Sequence, residues 1–471
     1  MKILSALRAF QNSGKLLFRL YALFFLTYYF LLFLAIPQIR NYESSAWRMI
    51  VDRLIANQEF GKNSFGNLLV IYPERFKESV ESETQGLGIV SGRNMLKLVD
   101  NTNTIPEIYT SQFGLIGEFA SSLQTYFDFS IFEIYIALTC ICILFSSLIL
   151  AKVCIILRDF LGKGTDVLFA LCYLGPWAAI FAMNFYYFMF VNLLFMVIPT
   201  LIHEFKSRKI AGVSFERILY TTVFSLTLLF TLTNYTYVSV WVSCLVIGLL
   251  IVSTERLIVA SVYIKSLIAL SLGAGSALIL HLIKVSEYAR TLKEVSWIEY
   301  ILRNKIGITG SNIPSEYALS TSKSPFDVVH LYLKEPLLNS IVEEKLHLSG
   351  FTINGYTLLI MLSIVICFQK VHRDTISLYV TNVLKLSFIS SLGPLTWILI
   401  MRPHSWDNVQ VNYIFVFMPF VPIVMSVLLD TSDRFNEKIC RIRVEGIFKI
   451  ALAYFGLIIL TSWLIYFLSQ R

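Results

Sequence analysis

Two acids and two basic groups are the residues here whose types suit chemistry at a membrane surface. Glu43 lies in "NYESSAWRMIVDRL", residues 41 to 54, shortly after an apolar run that ends at Pro37. On a helix, Trp47, Ile50 and Leu54 share its face, while Arg48 and Asp52 pair on another. Glu43 has no such partner. A carboxylate beside an interfacial tryptophan is partly desolvated, which raises its pKa and fits it to accept a proton near neutral pH. The alternative is a solvated loop acid. Asp52, nine residues on, points the opposite way in an unbroken helix, so the two acids form no pair. Far along the chain, "MRPHSWDNVQVNY" supplies Arg402, His404 and Asn412. Arginine binds two phosphate oxygens at once, and histidine adds a further donor; the bland readings are a snorkelling helix end and a turn histidine.

Two more polar turns interrupt apolar sequence. "AMNFYYFMF" carries Asn184 and Tyr186, and "LTNYTYVSV" carries Tyr235 and Tyr237. Each alone reads as an aromatic belt or a cap. Together with Glu43 and Arg402 they form the set expected of a site at the headgroup level.

The elements that must position these groups are membrane helices. Of 471 residues, 56% are hydrophobic and 15% charged, against roughly 25% charged in soluble domains. Apolar stretches able to cross about 30 Å of hydrocarbon recur throughout, so the fold class is all-α, a polytopic membrane protein and one transmembrane domain over residues 1–471. About eleven spans are expected, near 20–36, 132–152, 166–183, 185–203, 218–233, 237–253, 262–284, 355–369, 377–401, 411–429 and 446–467. The first follows Lys2, Arg8, Lys15 and Arg19 and reads as helix one rather than a cleaved leader. With the N-terminus inside, short basic junctions such as Arg158/Lys163 and Lys206/Arg208/Lys209 fall in the cytoplasm. Two long segments fall outside, 37–131 with interfacial helices and 285–354.

The net charge of +8 is scattered in clusters at helix ends rather than along a stripe, so membrane orientation explains it and nucleic acid is not an expected partner. Cys140, Cys142, Cys154, Cys172, Cys244, Cys367 and Cys440 show neither a disulfide framework nor metal-ligand spacing. No phosphate-binding glycine loop, HExxH or GxSxG motif occurs. "SLGAGSA", residues 271 to 277, reads as a small-residue stretch for close helix packing.

The layout resembles the GT-C class of membrane glycosyltransferases, and more narrowly bacterial surface-polysaccharide membrane proteins and phage O-antigen glucosyltransferases. Their N-x-Y-W, G-Y-E-Y and K-x-H-S-x-x-H-x-x-x-N segments correspond here to Asn184-Phe185-Tyr186-Tyr187, Asn234-Tyr235-Thr236-Tyr237 and Arg402-Pro403-His404-Ser405 through Asn408 to Asn412. "YTSQFGLIG", Tyr109 to Gly117, is similar to a first-loop stretch of such proteins. Thr236 stands where the pattern has Glu, Tyr187 where it has Trp and Asn408 where it has the second His.

The resemblance implies transfer of a sugar from a polyprenyl-phosphate donor to a lipid-linked glycan acceptor, O-antigen or another surface polysaccharide, at the outer face of a bacterial cytoplasmic membrane. Glu43 would be the base with Asp52 in reserve, and Arg402 and His404 would offset charge on the leaving phosphate. Asn184, Tyr186, Tyr235, Tyr237 and Asn412 would contact substrate. One base and direct displacement imply inversion. The donor is a substrate; no cofactor and no divalent metal is expected. Rival readings are a polysaccharide polymerase or ligase, which shares the compartment, and a lipid-glycan flippase or transporter. Against the transporter, no internal repeat is evident and the span interiors hold few charges, Lys265 and Lys385 being the main ones.

Overall fold

The computed structural model describes residues 2–33, 68–71, 105–108, 114–127, 129, 131–161, 165–174, 182, 191–207, 214–233, 238–253 and 260–292, with 296, 327, 330 and 331 singly. These are almost wholly helical. In chain order they form α1 (Lys2–Phe33), β1 (Leu68–Ile71), β2 (Ile105–Ile108), α2 (Leu115–Phe127), α3 (Ile131–Leu161), α4 (Thr165–Tyr173), α5 (Val191–Ser207), α6 (Phe215–Thr233), α7 (Val238–Ser253) and α8 (Ala260–Leu292).

Among the described residues, three stretches are long and apolar enough to cross a membrane: Ile136–Phe160, Phe215–Thr233 and Ser261–Glu287. Val191–Phe205 and Val240–Ser253 are shorter apolar helices. Along α8, Ile264, Ile268, Leu272, Ile279 and Ile283 are all exposed, a stripe at helical spacing that suits lipid rather than water. The chain is a helical membrane protein. The last four expected spans, the segment 41–54 and nearly all of 285–354 lie outside the described residues.

Helix starts follow local chemistry. Gly114 takes a left-handed φ of 75° and its carbonyl accepts the first bond of α2, from the Glu118 N–H at 3.2 Å. Ser214 caps α6, its Oγ accepting from the Arg217 N–H at 3.2 Å.

Two features depart from the sequence expectations. Within the first long segment, β1 and β2 pair antiparallel, Leu68 opposite Ile108 and Ile71 opposite Ile105, so this stretch is not purely helical. The second concerns the span expected over 166–183. Its helix α4 ends at Tyr173, with a bend at Leu174 just before Gly175-Pro176. Nine residues rise only about 14 Å, half the hydrocarbon thickness. The hydroxyl of Tyr28 on α1 donates to the Tyr173 carbonyl at this end.

Packing pairs helices two apart in sequence. α5 lies on α7 and α6 on α8, while α3 holds α1, α4 and α5. Glycine allows the closest approaches. A Cβ on Gly248 of α7 would collide with the Met196 backbone of α5, and one on Gly273 of α8 would lie 2.6 Å from the Phe224 carbonyl oxygen of α6. Gly273 belongs to the small-residue stretch read as a packing surface, and it packs there; its neighbour Gly275 meets nothing within 4 Å.

Candidate functional site

Every residue proposed from sequence lies outside the described residues: Glu43, Asp52, Asn184, Tyr186, Tyr235, Tyr237, Arg402, His404 and Asn412. The helices that carry several of these turns are described, and polar contacts fix which ends meet.

One end of the bundle is marked by acid–base pairs. Lys152 of α3 meets Glu204 of α5 at 2.6 Å, and Arg158 of α3 meets Asp166 of α4 at 3.4 Å. His203 of α5 meets Phe215 of α6 edge-on at this end. The C-terminal ends of α3 and α5 and the N-terminal ends of α4 and α6 are therefore together. These ends border the basic junctions near Arg158 and Arg208.

The opposite end is built differently. Asn192, in the first turn of α5, accepts a 2.7 Å hydrogen bond from the Trp241 indole in the first turn of α7, and both residues are buried. Trp241 stacks on Phe195 with ring centroids 5.2 Å apart, and Phe230, near the end of α6, meets both rings edge-on. A buried indole N–H and amide need partners, and here each answers the other. The start of α5 is thus pinned beside the start of α7 and the end of α6. The turn bearing Asn184 and Tyr186 leads into α5, and the turn bearing Tyr235 and Tyr237 joins α6 to α7.

At this same end, α2 packs on α3 and α6. Its Glu118 accepts a 2.9 Å charge-assisted hydrogen bond from Lys284 of α8, with both side chains about 30% exposed. The ion pair ties α2 to α8 across 166 positions of sequence. Buried His281 lies one turn back from Lys284.

The directions fixed by these contacts alternate through α4, α5, α6 and α7, and both α2 and the end of α8 lie at the Asn192 end.

Sequence reasoning missed Asn192, Glu118, His281 and Lys284. Asn192 was signalled by a lone amide in an apolar run, and His281-x-x-Lys284 by polar residues three apart at a span end; their partners are 49 and 166 positions away and carry no local trace. Among the described residues, no group of three or more His, Cys, Asp or Glu is placed to hold a metal ion. Comparison with family models, with curated proteins and with solved structures finds no match.

Proposed function

We propose that the chain is a GT-C-like glycosyltransferase of a bacterial cytoplasmic membrane. It moves a sugar from a polyprenyl-phosphate donor to a lipid-linked glycan acceptor on the outer side. Glu43 deprotonates the acceptor hydroxyl, which attacks the anomeric carbon as the bond from carbon to phosphate oxygen breaks. Arg402 and His404 stabilise the departing phosphate, and direct displacement inverts the anomeric centre.

The observation that supports this reading is the shared helix end. The helices that border the Asn184/Tyr186 and Tyr235/Tyr237 stretches are pinned side by side through Asn192 and Trp241, and α2 is joined to α8 by Glu118 and Lys284. A headgroup-level site requires polar stretches carried by neighbouring helix ends, and these helix ends are neighbours.

A transporter is the second reading, because interrupted helices are common where transporters bind substrate. The break after Tyr173 is of that kind. Its carbonyl, however, is capped by Tyr28, and both tyrosines are fully buried, which describes a packed joint rather than a lined passage.

The test is transfer itself. Protein purified into nanodiscs is incubated with a panel of radiolabelled polyprenyl-phosphate sugars and lipid-linked acceptors. A labelled acceptor is the expected product. Movement of lipid-linked glycan across the bilayer without a labelled product would favour the transporter.

A further inference from the structure

Helix α5 carries a proline at its middle, with residues 191–198 before it and 200–207 after it. Pro199 is buried, and because it has no N–H it gives the Phe195 carbonyl no helical hydrogen bond. The next residue weakens the same turn. Thr200, also buried, directs its hydroxyl back to the Val197 carbonyl at 2.7 Å, a local bond of the kind that bends helices. Positions 199 and 200 are therefore the natural joint of α5.

The two halves are held by different helices. Residues 191–198 are attached to α7: Asn192 accepts from the Trp241 indole at 2.7 Å, Phe195 stacks on Trp241, and Gly248 lets the α7 backbone lie against the Met196 carbonyl. Residues 200–207 are attached to α3, where Lys152 donates to Glu204 at 2.6 Å. The first attachment is buried and includes a close backbone approach. The second is an ion pair whose Glu204 side chain keeps 45% of its exposure, against 16% for Lys152. Exposed ion pairs hold weakly, so this is the attachment that can open.

We propose that α5 is a hinge: residues 200–207 swing about Pro199 when the Lys152–Glu204 pair opens, while residues 191–198 stay fixed to α7. The Arg158 end of the bundle then opens and closes with the Asn192 end intact. A bend of about 20° at the proline moves Phe205, about 9 Å further along the helix, by about 3 Å.

A stiff helix with a surface ion pair makes a different prediction. There, removing the pair leaves α5 in place. At a hinge, removing the pair moves the end of the helix, and it does so only while the joint is present.

The test is double electron–electron resonance on the full-length protein in nanodiscs, in a background without native cysteines. Spin labels at Phe205→Cys and Phe145→Cys, exposed positions on α5 and α3, report the movement, and labels at Leu229→Cys on α6 and Phe145→Cys give a reference distance. Glu204→Gln is expected to shift or broaden the first distance by about 3 Å, and Lys152→Gln to do the same, with the reference unchanged in both. Adding Glu204→Gln to Pro199→Ala should give the same distance as Pro199→Ala alone, whereas Pro199→Gly, which keeps a flexible joint, should leave the effect of Glu204→Gln in place. An unmoved first distance in Glu204→Gln and Lys152→Gln, or a shift that survives Pro199→Ala, would overturn the hinge. An equal shift of the reference distance would do so too, because the whole bundle would then have rearranged.

Discussion

The Tyr28 hydroxyl donates to the Tyr173 main-chain carbonyl at 2.5 Å, joining α1 to the end of α4, 145 positions away. A helix that stops inside a bundle leaves carbonyls without intrahelical partners, and in a membrane no bulk water is at hand to satisfy them. At the end of α4 the Leu174 N–H bonds to the Ala170 carbonyl, and the Tyr173 carbonyl accepts from Tyr28. Ser146 of α3 donates to the Ala182 carbonyl at 3.2 Å. Hydroxyls of α1 and α3 thus reach the main-chain carbonyls of Tyr173 and Ala182.

Tyr28→Phe keeps the ring and removes only the donor. The buried carbonyl then loses its Tyr28 hydrogen bond, which costs about 1–3 kcal/mol. Thermal unfolding in detergent should show a lower melting temperature for this variant. An unchanged value would mean that another group serves the carbonyl.

The glycine contacts predict a contrast within one helix. Gly273→Ala drives a methyl toward the Phe224 carbonyl oxygen and Thr227 Cβ, 2.9 Å away, and Gly248→Ala drives one into the Met196 backbone. Each should destabilise by about 1–3 kcal/mol. Gly275→Ala meets open space and should stay within about 0.5 kcal/mol of wild type. Equal effects at 273 and 275 would contradict close packing of α8 on α6.

Asn192 and Trp241 should behave as a coupled pair. Asn192→Ala strands a buried indole N–H, and Trp241→Phe removes the donor to a buried amide, each costing about 1–3 kcal/mol. The double substitution should cost less than the sum of the two, by about 0.5–3 kcal/mol. Strict additivity in unfolding measurements would show that the two residues act independently.

Crossing direction is testable by labelling. Arg217 and Glu287 are exposed, the first at the Arg158 end and the second at the Glu118 end. In a background without native cysteines, Arg217→Cys and Glu287→Cys should react with an impermeant maleimide from opposite sides of sealed vesicles. Reaction of both from one side would break the alternation.

Much of the helical frame was legible in the sequence because hydropathy is local. The expected spans 218–233 and 237–253 coincide closely with α6 and α7. Gly273 was legible because small residues have few other uses in an apolar helix. Longer helices ran past their apolar windows: α1 begins at Lys2 and α8 runs to Leu292, where polar turns continue a helix that hydropathy does not count. The break at Tyr173 was announced by Gly175-Pro176, yet averaging over about 19 residues conceals a single joint. The β1–β2 pair joins Leu68 to Ile108, and Glu118 meets Lys284 across 166 positions. Such partnerships are decided by tertiary packing. Glu43, Arg402 and His404 were picked by residue type and resemblance, and they lie outside the described residues.

The most direct measurement is the initial rate of sugar transfer by wild type and Glu43→Gln in identical nanodiscs. The amide keeps the size of the side chain and removes the base. Wild type should label the lipid-linked acceptor, and the variant should be slower by about 10²–10⁴-fold. Equal rates would remove Glu43 from the chemistry. Absence of transfer by wild type from every polyprenyl-phosphate sugar would contradict the transferase itself.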